Sequence, residues 1–241
     1  MFWALTAAAS AAAGVVAGLF LRTEIVRLSV PGGQPEHAAC SVCGTALPDR
    51  PAVQCGHCGS WIGIPLAIEV ATAAVVALVL IELGTGPGVA AFVYLGVVGV
   101  ALAQIDLAVK RLPDRLTLPA YPALITLLAV AAAVDENWTS LVRAGLGGLA
   151  AVAGYLLLGL VSRGQLGGGD IKLAGLIGLA LGWLSWRTLL LGAFTGFSLA
   201  AVASAGLLAA RKISLRSRIS FGPFLLLGAL IAALATAVST R

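Results

Sequence analysis

Residues 89–106 read VAAFVYLGVVGVALAQID, an apolar run that ends in an aspartate. An apolar run of this length is typical of a helix that crosses a bilayer. Gln104 is the one amide or charged side chain that precedes the terminal aspartate. The stretch therefore predicts a membrane-spanning helix with an ionisable group, Asp106, at one membrane boundary.

Comparable apolar runs recur along the whole chain. Of the 241 residues, 60% are hydrophobic and 10% are charged, whereas soluble domains carry roughly 25% charged residues. These features predict an all-α fold, a polytopic membrane helical bundle of about eight transmembrane helices. The predicted spans are Phe2–Leu21, Pro65–Ile81, Val89–Ile105, Leu116–Val134, Leu141–Val161, Ile171–Trp186, Leu189–Ala210 and Phe221–Val238.

Two of these spans need comment. No basic region precedes the first span, so we interpret it as a retained helix and not as a signal peptide. The sixth span is short, about 24 Å at 1.5 Å per residue, and the glycine run 167–169 before it predicts irregular backbone that dips into the membrane.

Glycines in the fifth and seventh spans predict close helix packing. They are Gly145, Gly147, Gly148, Gly192 and Gly196.

Basic residues divide unevenly between the two faces that alternating spans create. One face holds twelve of them: Arg22, Arg27, Arg50, Lys110, Arg111, Arg115, Arg163, Lys172, Arg211, Lys212, Arg216 and Arg218. The other face holds Arg143, Arg187 and Arg241. The positive-inside rule makes the first face cytoplasmic and puts the N-terminus outside. The net charge of +5 therefore reflects orientation in membrane lipid, and we expect no nucleic-acid partner.

One segment of the chain, residues 22–64, is polar and contains all four cysteines. We therefore predict three parts: a first transmembrane helix (1–21), a small cytoplasmic zinc-binding domain (22–64) and a seven-helix transmembrane domain (65–241).

The cysteines form two CxxC knuckles, Cys40 to Cys43 and Cys55 to Cys58. Two thiolate pairs at this spacing can surround one tetrahedral zinc ion, and a closed shell of four sulfurs is a structural site. The alternative is a set of reduced or redox-active thiols. Glycines 44 and 59 follow the knuckles, where a tight turn suits glycine. We interpret His57 as an exposed residue and not as a ligand.

Two aspartates are predicted at the cytoplasmic membrane boundary. Asp106 ends the third span, and Asp170 begins the sixth, which runs in the opposite direction. Two carboxyl groups in one low-dielectric site share a proton, so one can act as a base and the other as an acid. The alternative is that each is a helix-end residue, with Asp170 capping a helix. Asp114, eight positions after Asp106, is predicted to be an N-cap or turn residue.

Four motifs in order resemble those of the type IV prepilin peptidases, which are GxGD-type intramembrane aspartyl proteases. Residues 167–172 (GGGDIK) resemble the GxGDxK motif, and Asp106 with residues 112–114 (LPD) resembles the first catalytic segment. Residues 221–224 (FGPF) are similar to the segment that opens the last span of the family. The paired CxxC knuckles resemble the family's cytoplasmic zinc domain.

The resemblance implies a reaction: removal of the short basic leader from type IV prepilins or pseudopilins at the cytoplasmic membrane face. It implies that Asp106 and Asp170 form the catalytic pair, with Gly167 and Gly169 as the motif glycines. Asp114 would have a supporting role, and Lys172 would adjust the charge of the Asp170 side chain. Glu69 matches a family glutamate and is either a leader contact or a capping or pairing residue.

The family resemblance leaves a second activity open. Many members methylate the new N-terminus with S-adenosylmethionine, but the stretch between the knuckles is short and residues 61–65 (WIGIP) depart from the family sequence. Two other classes of function remain as alternatives. One is a transporter or channel with a zinc-ribbon domain, and the other is a membrane assembly subunit without catalysis.

Overall fold

The computed structural model describes residues 2–30, 39–47, 52–63, 66–162, 166–212 and 220–239, with side chains from residue 12 onward. Its elements are eight α-helices. In chain order they are α1 (Phe2–Leu28), α2 (Ala67–Leu83), α3 (Val89–Val109), α4 (Asp114–Val134), α5 (Trp138–Val161), α6 (Gly168–Leu184), α7 (Trp186–Ala209) and α8 (Gly222–Ser239). Each predicted span overlaps one of these helices, with bounds that differ by up to seven residues. Among the described residues, β-type pairing is confined to two isolated bridges, Ala39–Ala46 and Gln54–Trp61.

Five of the helices are long and apolar enough to cross a membrane. These are α3, α4, α5, α7 and α8. The helix predicted to be short, α6, has 17 residues, and α2 has the same length. An all-helical fold is thus confirmed, with five membrane-capable helices.

The first helix continues seven residues beyond the predicted end of its span. Helix α1 ends at Leu28, and its last two turns bury Ile25 and Leu28. These side chains pack against Ile68 of α2 and Ile105 of α3. Burial of apolar side chains stabilises a helix beyond its local propensity, which explains why the polar composition after Leu21 did not end it.

The glycine run before α6 is mostly helical, so the prediction of irregular backbone applies to one residue. Gly167 is extended (φ −70°, ψ 142°), and the helix begins at Gly168. Helix α6 then forms the centre of the bundle, with every residue from Leu173 to Trp183 buried.

Glycines allow α5 and α6 to approach each other closely. A Cβ atom on Gly147 would lie 2.8 Å from the carbonyl oxygen of Gly178, and one on Gly178 would lie 2.6 Å from the carbonyl oxygen of Gly147. The prediction of close packing is confirmed for four of its five glycines, Gly147, Gly148, Gly192 and Gly196. It is wrong for Gly145, where a Cβ would meet no atom within 4 Å.

The C-terminus of α6 is held by a single side chain. Arg143 of α5 donates hydrogen bonds to the carbonyl oxygens of Gly182 (2.8 Å), Trp183 (2.5 Å) and Leu184 (3.1 Å). The last carbonyls of a helix lack partners within the helix, and a cation there also complements the helix dipole. Arg143 therefore anchors the end of α6 that is far from Asp170.

Part of the predicted charge asymmetry lies outside the described residues. The basic side chains concerned are Arg50, Arg163, Arg216, Arg218 and Arg241.

Candidate active site and metal centre

Asp106 lies in the last turn of α3 and is almost completely buried, with 4% of its surface exposed. Its Oδ2 atom accepts a hydrogen bond from the Ser220 hydroxyl and another from the backbone N–H of Gly222, at 3.0 Å. A Cβ on Gly222 would lie 3.0 Å from the same oxygen. The FGPF segment at the start of α8 therefore packs directly on this carboxylate, and its glycine leaves room for it.

Asp170 lies in the first turn of α6, partly exposed. Its carboxyl group interacts electrostatically with that of Asp106, so the tertiary structure brings the two predicted aspartates into one site. The backbone N–H of Asp170 donates to the Gly167 carbonyl at 3.0 Å. A Cβ on Gly167 would lie 3.2 Å from Asp170 Oδ2, so a side chain at this position would crowd the carboxylate.

The two aspartate segments are also in direct contact through Gly169. A Cβ on this glycine would lie 2.8 Å from the Cβ of Leu112, in the connection between α3 and α4. Leu112 is buried. Gly169 thus fits α6 against the LPD segment, and a larger residue would push the segments apart.

Asp114 and Lys172 form an ion pair at the edge of this contact. Lys172 Nζ donates to Asp114 Oδ1 at 2.6 Å, and their side chains are 39% and 58% exposed. Asp114 is the first residue of α4, and Pro113 is the N-cap, without a side-chain cap. The prediction of an N-cap or turn residue is therefore wrong by one position, because the helix already includes Asp114. The ammonium group of Lys172 pairs with Asp114, and Tyr121 donates to the Lys172 carbonyl at 2.6 Å.

Two residues near the aspartates were missed by sequence reasoning. Ser220 directly precedes the FGPF segment, and that adjacency was the available signal. Tyr155 of α5 is 6% exposed and interacts electrostatically with Asp170. Its ring stacks on Phe197 at 5.3 Å between centroids, and Phe197 lies 5.1 Å from Phe221. No sequence signal pointed to Tyr155, because a tyrosine within an apolar span is unremarkable.

Glu69 is engaged in a buried ion pair. Its carboxylate accepts from Arg22 Nε at 2.7 Å and from Arg22 Nη2 at 2.5 Å, and both residues are at most 3% exposed. Arg22 also donates from Nη1 to the carbonyl oxygen of Ile62 at 2.7 Å. This geometry favours the pairing role over the role in leader contact. It joins α1, α2 and the cysteine region.

The four cysteines form a cluster whose geometry suits a tetrahedral metal ion. Their sulfur atoms all lie within 4.8 Å of one another, and all four thiols are free. Cys40 Sγ lies 3.9 Å from Cys58 Sγ, and Cys43 Sγ lies 3.6 Å from Cys55 Sγ. A tetrahedral zinc ion with Zn–S bonds of about 2.3 Å requires sulfur separations of about 3.8 Å. The residues therefore fit a four-sulfur metal site.

The local structure of the two knuckles is nearly the same. The Gly44 N–H donates to the Cys40 carbonyl and the Gly59 N–H to the Cys55 carbonyl, each at 2.9 Å. Both glycines have positive φ angles, 71° and 70°, which confirms the predicted tight turns. His57 is exposed, as predicted, and it is outside the cluster of four sulfurs.

The Ser60 hydroxyl lies beside two of the four sulfur atoms. Ser60 Oγ lies 3.4 Å from Cys40 Sγ and 3.0 Å from Cys58 Sγ. The Ser60 hydrogen bond lowers the pKa of the Cys40 thiol to about 6 and also lowers the pKa of Cys58. Because thiolates are the metal-binding form of cysteine, Ser60 favours metal binding.

Comparison with known proteins identifies the family. The model of the type IV leader peptidase family matches residues 92–238, which include both aspartates. A prepilin leader peptidase/N-methyltransferase of Aeromonas hydrophila is 35% identical over 182 residues, covering 69% of this chain and 57% of that protein. One of Burkholderia pseudomallei (strain 1026b) is 33% identical over 215 residues, covering 79% and 64%. No solved structure matches.

The chain spans somewhat over half the length of these relatives. The transporter and assembly-subunit alternatives gain no support from the comparisons. The matched segment extends from α3 to α8 and so contains every helix that contributes to the aspartate site. The chain belongs to the type IV leader peptidase family.

Proposed function

We propose that this protein is an intramembrane aspartyl endopeptidase that removes the short basic leader from type IV prepilins or pseudopilins at the cytoplasmic membrane face. One observation carries the proposal: the start of α6, which bears Asp170, packs through Gly169 on Leu112, six positions after Asp106. The electrostatic interaction of the two carboxyl groups agrees with this packing. Relatives of this chain are named prepilin leader peptidase/N-methyltransferase. Prepilin cleavage is the function that best accounts for both facts.

The chemistry requires one carboxylate and one carboxylic acid. Two like charges in a poorly solvated site do not both ionise easily, so the pair holds one proton between them. The ionised member takes a proton from water, and the protonated member donates to the scissile carbonyl oxygen. Asp106 is buried while Asp170 is partly exposed, so a peptide would approach from the Asp170 side.

The proposed topology has eight spans, with the N-terminus outside and the active site on the cytoplasmic side. Three observations support it. The predicted cytoplasmic face carries most of the basic residues. Asp106 and Asp170 lie at the end of α3 and the start of α6. The hydrophobic segments α1, α2 and α6 complete an alternating path through the bilayer.

We assign zinc to the four-cysteine site, in a structural role, and the domain division 1–21, 22–64 and 65–241 goes with this assignment. Cys40, Cys43, Cys55 and Cys58 would be its ligands. A closed four-sulfur shell leaves no coordination position for substrate. The ion would hold together residues 39–47 and 52–63, whose buried apolar cluster is small.

Recognition of a basic leader calls for acidic or polar groups near the cytoplasmic face. Glu69 is paired with Arg22, so its charge is neutralised within the protein. Asp114 is more exposed, at 58%, and pairs with Lys172 at the surface. We propose that Asp114 supports leader binding, because surface ion pairs are weak and exchange partners readily.

The relatives are also named N-methyltransferases, so methylation of the new N-terminus with S-adenosylmethionine is a candidate second activity. For this chain it is a separate question from cleavage. Mass spectrometry of the mature pilin answers it, because a methyl group that replaces an N-terminal hydrogen adds one CH2 unit to the mass.

The peptidase proposal is tested by Asp106→Asn and Asp170→Asn with a prepilin substrate in membranes. Each variant should cleave at least about 100-fold more slowly, because removal of a general acid or base has effects of this order. Asp135→Asn is the matched control, since Asp135 is an exposed loop residue after α4. Undiminished cleavage by both variants would contradict an aspartyl mechanism.

A further inference from the structure

Ser220 is a buried polar residue that belongs to none of the motifs. It lies two positions before α8, and 8% of its surface is exposed. Its hydroxyl donates to Asp106 Oδ2, across 114 positions of sequence. A buried hydroxyl that donates to a carboxylate forms a charge-assisted hydrogen bond, which is stronger than one between neutral groups.

The same oxygen receives a second donor from the backbone. The N–H of Gly222, the first residue of α8, points at Asp106 Oδ2 from 3.0 Å. The N-terminus of a helix carries a partial positive charge that stabilises a carboxylate. Oδ2 therefore accepts two hydrogen bonds from within the protein. The other carboxylate oxygen, Oδ1, is the one that would face the substrate.

The Asp170 carboxylate has a different environment. It lies beside the backbone of Gly167 and interacts with the charge of Asp106. No hydroxyl donor to it is found among the described residues. The two carboxyl groups are thus unequal: negative charge is better stabilised on Asp106 than on Asp170.

We propose that Ser220 is a positioning residue for the peptidase reaction, which fixes Asp106 Oδ2 so that Oδ1 faces the reacting water. The inference rests on the proposed peptidase function and adds the assignment of roles within the pair. Asp106 is the carboxylate that activates water, and Asp170 holds the shared proton.

The resulting steps balance in atoms and protons. Asp106 Oδ1 takes a proton from water as the water oxygen bonds to the scissile carbonyl carbon, and Asp170 donates its proton to the carbonyl oxygen. The tetrahedral diol then collapses. The C–N bond breaks, the amine nitrogen takes the proton from Asp106, and a diol hydroxyl returns a proton to Asp170.

The test separates the hydroxyl of Ser220 from the space that it fills. Thr and Val have the same shape, but only Thr has a hydroxyl, so Ser220→Thr and Ser220→Val form a matched pair beside Ser220→Ala. Ser204→Ala is the control, because its hydroxyl donates only to Ala200 within α7, at 2.5 Å. Cleavage of a prepilin peptide is measured in detergent, and kcat and KM are determined separately.

We expect Ser220→Ala and Ser220→Val to lower kcat about 10- to 100-fold, the range for loss of a hydrogen bond to a charged group. KM should stay within about twofold, and Ser220→Thr should recover most of kcat. Equal kcat values for the Thr and Val variants, or a loss confined to KM, would overturn the inference. If Ser220→Ala does not fold, the Thr and Val pair decides.

Asp106→Asn distinguishes the two levels of the proposal. If it is inactive while Ser220→Val cleaves like the unaltered protein, Ser220 has no positioning role and the peptidase function stands. If Asp106→Asn and Asp170→Asn both cleave normally, the peptidase function itself fails, and with it the role of Ser220.

Discussion

The cysteine cluster and the aspartate pair are assembled in opposite ways. Cys40 and Cys58 contact each other across 18 sequence positions, within two short knuckles closed by glycine turns. Asp106 contacts Ser220 across 114 sequence positions, and Asp170 lies on a third segment, the start of α6. The first site depends on local backbone geometry and on the proposed metal ion, whereas the second depends on how α3, α6 and α8 pack.

This difference teaches which perturbations each site should tolerate. A metal-held region loses its structure when the ion leaves, because it has little apolar core of its own. A site between packed helices does not depend on an ion, but it is sensitive to atoms added at the points of contact. The Arg22–Glu69 pair ties the cysteine region to α1 and α2, since Arg22 also donates to the Ile62 carbonyl next to the second knuckle.

The largest effect should follow removal of the metal. A chelator, or Cys55→Ser, should abolish zinc binding and unfold residues 39–47 and 52–63, because structural zinc contributes on the order of 10 kcal/mol to such folds. Hydrogen exchange should become fast there while α3 and α6 stay protected. His57→Ala is the control, since His57 lies outside the sulfur cluster, and it should retain zinc. Loss of protection in α3 would show that the two regions are not independent.

A large effect is expected for the buried Arg22–Glu69 pair. Glu69→Gln removes the negative charge that the buried guanidinium of Arg22 contacts twice, and breaking a buried pair from one side costs about 3–5 kcal/mol. Denaturant unfolding in detergent measures this loss. Glu24→Gln is the control, because Glu24 is 44% exposed and lies 3.6 Å from Arg27; it should change stability by less than about 1 kcal/mol. Equal effects of the two variants would remove the case for a buried link.

A smaller effect should distinguish two neighbouring glycines at the aspartate site. Gly169→Ala adds a methyl group against Leu112 Cβ, 2.8 Å away, and overpacking costs about 1–3 kcal/mol. Cleavage should fall as well, because α6 carries Asp170. Gly168→Ala meets no atom within 4 Å and should be neutral or stabilising by up to about 1 kcal/mol. Thermal unfolding and cleavage rates check both, and a reversed order would contradict the packing described for Gly169.

Much of the architecture was predictable from the sequence. All eight helical segments followed from apolar runs, because a bilayer requires long continuous apolar helices. The errors were local. Helix α1 continues to Leu28 because Ile25 and Leu28 find apolar partners on α2 and α3, and such partners are invisible in a linear pattern. Gly145 was predicted to be a packing glycine because Gly147 and Gly148 follow it closely, but a Cβ at Gly145 would point into open space.

The sequence by itself determined the membrane character, the two cysteine knuckles and the identity of the two aspartates. These features depend on composition and on short spacings between residues, and both can be interpreted without knowing how the chain packs. Only the tertiary structure decided that Glu69 pairs with Arg22, that Lys172 pairs with Asp114, and that Ser220 donates to Asp106. The physical reason is that a polar group buried between helices takes whichever partner the packing brings to it, and packing joins residues that no local pattern connects.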